Sequence, residues 1–183
     1  MEKIFGISFN AKQDFDINNV FEQVSSFEDG EEENVFVSKK IYDHDDDPDI
    51  KFKYQYVITC WVSPENNECY YQVRIVPTFD SLHQSRKDKV VSFFGCEPND
   101  VNISDMIGYG MSVIMDSTSS ENGYDQKVVD NIAQVIDTID SFFGFYLDKC
   151  QNRIGTTGWD MMYDFIKGKD WDKATFARIK KAE

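Results

Sequence analysis

Two runs of alternating residues, separated by a short polar segment, constrain the fold of this chain most. Residues 52–62 and 69–77 are rich in Val, Ile, Tyr and Phe, and in each run every second residue is apolar or aromatic. Alternation with period two is typical of strands that bury one face. Because residues 64–68 between the runs are polar and contain a proline, we predict an antiparallel hairpin within a β-meander.

Two further strands are predicted nearer the N-terminus, at residues 3–9 and 35–42. Between them, Asp16 can cap a short helix, because its side chain can accept hydrogen bonds from the exposed amides of a first turn. One face of that helix would carry Ile17, Val20, Phe21 and Val24. The first half of the chain therefore predicts a sheet of about four strands with helix on one face.

The middle of the chain gives weaker signals. Residues 80–94 predict a helix. Ser104 can cap another helix within residues 99–116, but Gly108 and Gly110 interrupt its pattern. The last part of that segment stays undecided between strand and helix.

The clearest periodicity in the chain is an apolar stripe with steps of three and four residues. It runs through Val129, Ile132, Ile136, Ile139, Phe143, Tyr146 and Cys150. Such a stripe predicts one helix over residues 129–150, roughly 33 Å long at about 1.5 Å per residue. The stripe is widened by Val128, Val135 and Phe142, which favours packing against the sheet of the same chain. A homodimer through this helix is the alternative.

Residues 153–183 predict a short helical tail. A bend at residues 155–158 precedes a helix that begins near Trp159, and Gly168 can end it. The chain has no linker rich in Pro, Gly or Ser. We therefore predict one α+β domain over residues 1–183, with an antiparallel β-sheet of about four strands packed against the long helix and residues 153–183 as a helical appendage.

The chain is strongly acidic, with 19 Lys and Arg against 33 Asp and Glu and a formal net charge of −14. Such a field repels nucleic-acid phosphates and anionic lipid headgroups, which disfavours direct binding to nucleic acids or to membranes. No segment approaches the ~20 apolar residues that span a bilayer, and the N-terminus lacks the pattern of a secretory signal. We expect a cytoplasmic protein.

The four cysteines do not have the two-residue spacings of a structural zinc site. With a hairpin turn centred on Asn66, Cys60 would lie opposite Gln72 and Cys69 would lie opposite Ser63. The two thiols would then not meet, so we predict reduced and mostly buried cysteines.

The only histidines are His44 and His83, and neither has a recognisable nucleophile partner in the sequence. General-base catalysis and nucleophile activation by histidine need such a partner within hydrogen-bonding distance. We predict that both are scattered surface residues, and we predict no catalytic residue, metal or cofactor.

An aspartate-rich segment, residues 43–49, carries oxygen ligands of the kind that hard cations prefer. It does not form an EF-hand loop, because with Asp45 in the first position the glycine position holds Ile50 and the glutamate position holds Tyr56. A two-metal nuclease stays open as an alternative, since its carboxylates come from separate strands. Its candidate ligands are Glu2, Asp14, Asp16, Asp45 and Asp47.

The negative charge is concentrated in one part of the sequence. Residues 28–50 contain ten Asp and Glu and two Lys, so they carry eight of the fourteen net negative charges. Carboxylates on two neighbouring loops can occupy a basic groove that otherwise receives nucleic-acid phosphates. The candidate partner-binding residues are Glu31, Glu32, Glu33, Asp43, Asp45, Asp46, Asp47 and Asp49. A solvated acidic face is the alternative interpretation.

Three parts of the sequence carry a family resemblance: the opening KIFGI at residues 3–7, the acids of residues 28–50, and NRIGTTGWD at residues 152–160. With them the chain resembles anti-CRISPR proteins of phages and mobile elements, in particular those directed at type II CRISPR–Cas effector nucleases. The resemblance implies an inhibitor in the host cytosol that mimics nucleic acid and blocks the effector or its guide-RNA complex. A metal-dependent nuclease acting on guide RNA or other nucleic acid is the alternative. These inhibitors share no catalytic signature, so the resemblance assigns no residue a role.

Overall fold

The computed structural model describes residues 1–24, 34–45, 50–139 and 161–168. The strands of these residues are β1 (Glu2–Ile4), β2 (Ile7–Phe9), β3 (Phe21–Val24), β4 (Asn34–Ser38), β5 (Tyr42–His44), β6 (Phe52–Val62), β7 (Cys69–Pro77) and β8 (Val113–Ser120). Their helices are α1 (Gln84–Phe94), α2 (Ile103–Tyr109), α3 (Gln126–Thr138) and α4 (161–167). None of these helices has the length and apolarity that crossing a bilayer requires.

An antiparallel sheet of six strands is the centre of the described part of the chain. Its order is β3-β4-β6-β7-β8, and β5 pairs with β6 on the same side as β4. β1 and β2 form a separate two-stranded hairpin. The described residues thus have the predicted α+β fold, with more strands than the four or so that the sequence indicated.

The β6–β7 hairpin has the predicted strand bounds but a different register. Its turn brings the Asn67 N–H to the Ser63 carbonyl oxygen at 3.0 Å, with Asn67 in the left-handed conformation at φ 59°. This turn places Cys60 opposite Tyr71 and Cys69 opposite Val62, one residue away from the predicted pairing. Cys60, Cys69 and Cys96 form no disulfide with one another, and Cys150 lies outside the described residues.

The predicted helix after Asp16 is wrong. Asp16 does cap a turn, since its carboxylate accepts a hydrogen bond from the Asn18 N–H at 3.0 Å, but the turn is a single 3-10 turn at Ile17–Asn19. The chain then continues as the edge strand β3, because Phe21 and its neighbours pair with β4. Tertiary pairing outweighs a weak helical periodicity over so short a segment.

Two predicted single strands are each divided in the structure. Residues 3–9 form a hairpin, β1 and β2, around Phe5 and Gly6, both of which have positive φ. Residues 35–42 belong to β4 and β5, which follow one another along β6. At the break, the Ser38 hydroxyl accepts the Tyr56 N–H at 3.0 Å and donates to the Lys40 carbonyl at 3.0 Å. The Ser38 hydroxyl thus takes the place of a backbone carbonyl as the hydrogen-bond acceptor of Tyr56 in β6.

Helix α3 packs on one face of the sheet, as the apolar stripe predicted. Its buried residues include Val129, Ile132 and Ile136, and Asp125 caps it by accepting the Lys127 N–H at 3.0 Å. This half of the stripe is buried within the chain, and the alternative of a homodimer through residues 129–150 stays a prediction. The helix ends at Thr138, because Ile139 has extended backbone angles (φ −90°, ψ 108°). The predicted continuous helix to residue 150 is therefore wrong at Ile139, and residues 140–150 lie outside the described residues.

Helix α2 lies toward the other face of the sheet, where Ile103 lines a groove together with Val37 and Gln55. Its cap is Asn102 and not the predicted Ser104: Asn102 and Asp105 form a reciprocal capping box. Gly108 is accommodated within the helix. The undecided segment after it becomes β8, which pairs with β7.

The predicted tail helix is present as α4 and ends at Gly168, as expected. Its Asp164 forms an ion pair with Arg86 of α1, and the Phe165 carbonyl accepts the His83 N–H at 2.8 Å. Gly168 has φ 72°, and a Cβ atom there would lie 2.5 Å from His83 Nδ1. Glycine is required at this point both for the turn and for the close approach of the two segments. Trp159 and residues 169–183, the rest of the predicted helical tail, lie outside the described residues.

The buried residue Tyr71 joins the sheet to the start of α3. Its hydroxyl oxygen accepts the Asp125 N–H at 2.8 Å and lies 2.9 Å from Ser120 Oγ. Burial is the main cause that raises the pKa of Tyr71 to about 12, and burial also raises the pKa of Tyr124 beside it. The hydroxyl groups of this contact therefore stay protonated to a higher pH than those of exposed tyrosines.

We expect the free energy of unfolding to fall as the pH rises from about 10 to about 12. The folded state holds the Tyr71 proton more tightly than the unfolded state does, so the stabilisation is complete below pH ~10 and is lost toward pH ~12. A pKa displaced this far corresponds to a few kcal/mol at most. Urea unfolding at a series of pH values measures the slope. Tyr71→Phe should flatten it and Tyr109→Phe should not; equal slopes in the two variants would contradict the assignment.

Candidate binding surface

Most of the predicted acidic site falls outside the described residues. Glu31, Glu32 and Glu33 belong to segment 25–33, and Asp46, Asp47 and Asp49 belong to segment 46–49. The structure places two of the predicted residues, Asp43 and Asp45. Both are exposed, one on β5 and one directly after it. Asp43 lies 3.9 Å from Lys53 Nζ, and this exposed ion pair contributes little to stability.

The two acidic segments are attached to opposite ends of β6. Asn34, which follows the first segment, pairs with Cys60 near the end of β6. His44, which precedes the second, pairs with Phe52 at the start of β6. Eight residues of strand separate these points, which is about 26 Å at ~3.3 Å per residue. The points of attachment of the two acidic segments are therefore well apart, and the expectation of two neighbouring loops stays a prediction.

Further carboxylates lie at the end of the sheet where β6 turns into β7. Glu65 and Glu68 are in that turn, and Glu121 follows β8, whose Ser120 pairs with Cys69. Residues 55–73 and 113–126 contain no Lys or Arg. The segment 25–33, with five Asp and Glu, is attached at this same end. We call Trp61, Glu65, Glu68, Tyr70 and Glu121 the acidic turn surface.

Two aromatic side chains form the apolar part of the acidic turn surface. Trp61 and Tyr70 are directly opposite each other on β6 and β7, and their rings stack with centroids 5.6 Å apart and planes 24° apart. They lie on the face opposite to the one that carries Tyr71 and α3. Trp61 is half-buried, whereas Tyr70 is 37% exposed. Exposed Trp and Tyr are enriched at protein interfaces, because they offer a large apolar area at low entropic cost.

Hydrogen bonds fix the carboxylate of Glu68 at the tip of the Tyr70 ring. Tyr70 Oη donates to Glu68 Oε2 at 3.0 Å, and Asn66 Nδ2 donates to the same oxygen at 3.4 Å. The hydrogen bond to Glu68 is the largest cause that raises the pKa of Tyr70. The turn itself is held by the Ser63 N–H, which donates to the Glu68 carbonyl oxygen at 2.8 Å. The aromatic and acidic parts of the surface are therefore mutually oriented before any partner binds.

A shallow groove of about 680 Å³ lies beside the edge strand β3. Its lining mixes apolar side chains such as Val37 and Ile103 with polar ones such as Asn18 and Gln55. Among the described residues that line it, Glu22 and Lys39 are the charged ones. This groove holds no arrangement of a nucleophile with a base.

The two histidines differ in their environments. His44 is buried against Phe52, with ring centroids 5.2 Å apart, so the prediction of a surface residue is wrong for it. The packing of β5 on β6 causes this burial. His83 is exposed, as predicted, and caps α1: its Nδ1 accepts the Ser85 N–H at 3.2 Å and lies 2.8 Å from Ser85 Oγ.

The carboxylates considered for a two-metal nuclease do not converge among the described residues. Glu2 lies 3.4 Å from Lys127 Nζ, and Asp16 caps the 3-10 turn. Asp14 and Asp45 are exposed elsewhere, and Asp47 lies outside the described residues. No group of three or more His, Cys, Asp or Glu side chains that could hold a metal ion occurs in residues 1–24, 34–45, 50–139 and 161–168.

Sequence reasoning missed the acidic turn surface. Its acids are dispersed along the chain and do not form a run, so charge counting along the sequence does not reveal them. The aromatic pair is visible from the sequence once the hairpin register is known. Comparison with protein-family models, with curated proteins and with solved structures finds no match for this chain.

Proposed function

We propose that this chain is a non-enzymatic binding protein that inhibits a nucleic-acid-binding partner by covering a basic groove. The partner suggested by the resemblance is a type II CRISPR–Cas effector nuclease or its guide-RNA complex. In this proposal the acidic turn surface is the part of the chain that docks.

One observation carries the proposal: carboxylates lie beside a partly exposed aromatic stack, and residues 55–73 and 113–126 of this surface contain no Lys or Arg. Glu65 and Glu68 lie in the turn that also orients Tyr70. A partner with positive charge would be attracted at long range and would find apolar contact area at short range. Because carboxylates take the place of phosphates, the same groove would bind either this chain or nucleic acid.

The segment 25–33, which carries five Asp and Glu, is attached at the same end of the sheet. Together with Glu65, Glu68 and Glu121, this gives eight acids against no Lys or Arg within these segments. The second segment, with Asp45, Asp46 and Asp47, is attached about 26 Å away along β6. It stands as the competing docking site, which charge variants at the two ends can distinguish.

We expect the purified chain to inhibit DNA cleavage by a type II effector in proportion to the amount added, and to lose affinity as salt rises, because ion pairs are screened. Gel-shift and cleavage assays with the guide-loaded effector measure both effects. Incubating the chain with guide RNA, with and without a chelator, tests the nuclease alternative. RNA cleavage that stops when the chelator is added would contradict the proposal. Intact RNA together with undiminished DNA cleavage by the effector would contradict it as well.

A further inference from the structure

The side of the Tyr70 ring that faces away from Trp61 is left uncovered by its neighbour on β8. β7 lies between β6 and β8, so Tyr70 has Trp61 on one side and Ser119 on the other. Ser119 is exposed and small, as is Ser117 two residues earlier on the same face. Since neither serine can cover an aromatic ring, Tyr70 presents a flat apolar face above a floor of small polar side chains.

The Glu68 carboxylate has one oxygen engaged and the other available. Oε2 accepts hydrogen bonds from Tyr70 Oη and Asn66 Nδ2, and neither donor contacts Oε1. The cation–π contacts formed by the described residues join Lys40 to Tyr42 and Lys87 to Phe79, so none occupies Trp61 or Tyr70. The ring and the carboxylate are thus oriented for a cation that this part of the chain does not supply.

The arrangement of the Tyr70 ring and the Glu68 carboxylate favours arginine over lysine as the bound side chain. A guanidinium is planar, stacks on aromatic faces and donates several hydrogen bonds in its plane, whereas an ammonium is a compact and strongly hydrated point charge. A guanidinium that stacks on Tyr70 can direct its in-plane N–H groups to a carboxylate at the edge of the same ring. Glu65 lies in the same turn as Glu68, and Glu121 directly follows Ser120, which pairs with Cys69.

We propose that the corner formed by Tyr70, Glu68 and Ser119 binds an arginine side chain of a basic protein partner. The guanidinium stacks on the open face of Tyr70 and donates to Glu68 Oε1. This inference rests on the proposed function for the basic character of the partner, and it adds a preference for arginine over lysine. Purely electrostatic docking on an acidic surface would show no such preference.

Two synthetic peptides that differ only in carrying arginine or lysine at every basic position test the inference. We expect the wild-type chain to bind the arginine peptide about fivefold more tightly in calorimetric titration at low salt. Tyr70→Leu should abolish this preference, and Glu68→Gln should weaken binding of the arginine peptide. Glu97→Gln removes the same charge from an exposed position outside the acidic turn surface and should keep the preference.

Circular dichroism checks that each variant is folded, and amide NMR shifts of Tyr70 and Ser119 in the wild-type chain locate the arginine peptide independently of any variant. Equal affinity for the two peptides would overturn the inference, and so would an arginine preference that survives in Tyr70→Leu. Inhibition of the effector is measured in parallel. If the chain inhibits the effector but shows no preference for the arginine peptide, the proposed function is supported and the arginine site is contradicted. If it prefers the arginine peptide but does not inhibit the effector, the arginine site is supported and the proposed function is contradicted.

Discussion

Ile136→Ala should lower the free energy of unfolding by roughly 2–5 kcal/mol, the cost of removing a buried aliphatic side chain and leaving a cavity. Ile136 is 2% exposed on the buried face of α3, near the C-terminal end of the helix. The loss should appear as a lower urea midpoint with an unchanged slope, because the same surface is exposed on unfolding.

Thr138→Ala, an exposed substitution two residues later in the same helix, is the matched control and should change the stability by less than about 0.5 kcal/mol. A loss below about 0.5 kcal/mol for Ile136→Ala itself would show that α3 does not bury this face against the sheet in solution. Two separate unfolding transitions would show that the helix and the sheet do not form one cooperative unit.

Neutralising the acidic turn surface should weaken binding to the effector by about tenfold or more, while an equal charge change at the other end of β6 should have a much smaller effect. The first variant is Glu65→Gln with Glu68→Gln and Glu121→Gln. The second is Asp45→Asn with Asp46→Asn and Asp47→Asn. Each removes three negative charges with little change of side-chain size. Loss of three ion pairs worth about 0.5–1 kcal/mol each gives the expected factor.

Affinity for the guide-loaded effector, measured at several salt concentrations, separates the two ends. The first variant should also show a shallower salt dependence, because fewer ion pairs form. Both variants should keep their melting temperatures, since exposed carboxylates contribute little to stability. A larger loss in the second variant would place the docking site at the Asp45 end, and full inhibition by both would contradict docking through either surface.

The strongest sequence signals were local ones. The period-two runs predicted β6 and β7 to the residue, because a strand that buries one face imposes alternation over its whole length. The stripe beginning at Val129 predicted α3 and its packing for the same kind of reason. Shorter elements were predicted less well: β3 was assigned to a helix, because four residues carry too little periodicity to distinguish the two states.

The register of the hairpin shows why the candidate surface was missed. A shift of one residue exchanges the faces of a strand. With the turn centred on Asn66, Trp61 would pair with Tyr71, and Tyr70 would lie on the opposite face. The left-handed Asn67 and its hydrogen bond to Ser63 set the pairing of Trp61 with Tyr70 instead.

The sequence by itself determined the α+β class, the long hairpin, the start of α3, the end of α4 and the excess of negative charge, since each depends on neighbours along the chain. The tertiary structure decided where the acidic segments are attached. The order of strands attached the two acidic segments at opposite ends of β6. It also placed Glu121 near the β6–β7 turn and Ser119 beside Tyr70. Such proximity between residues about fifty positions apart arises from strand pairing, which no local pattern encodes.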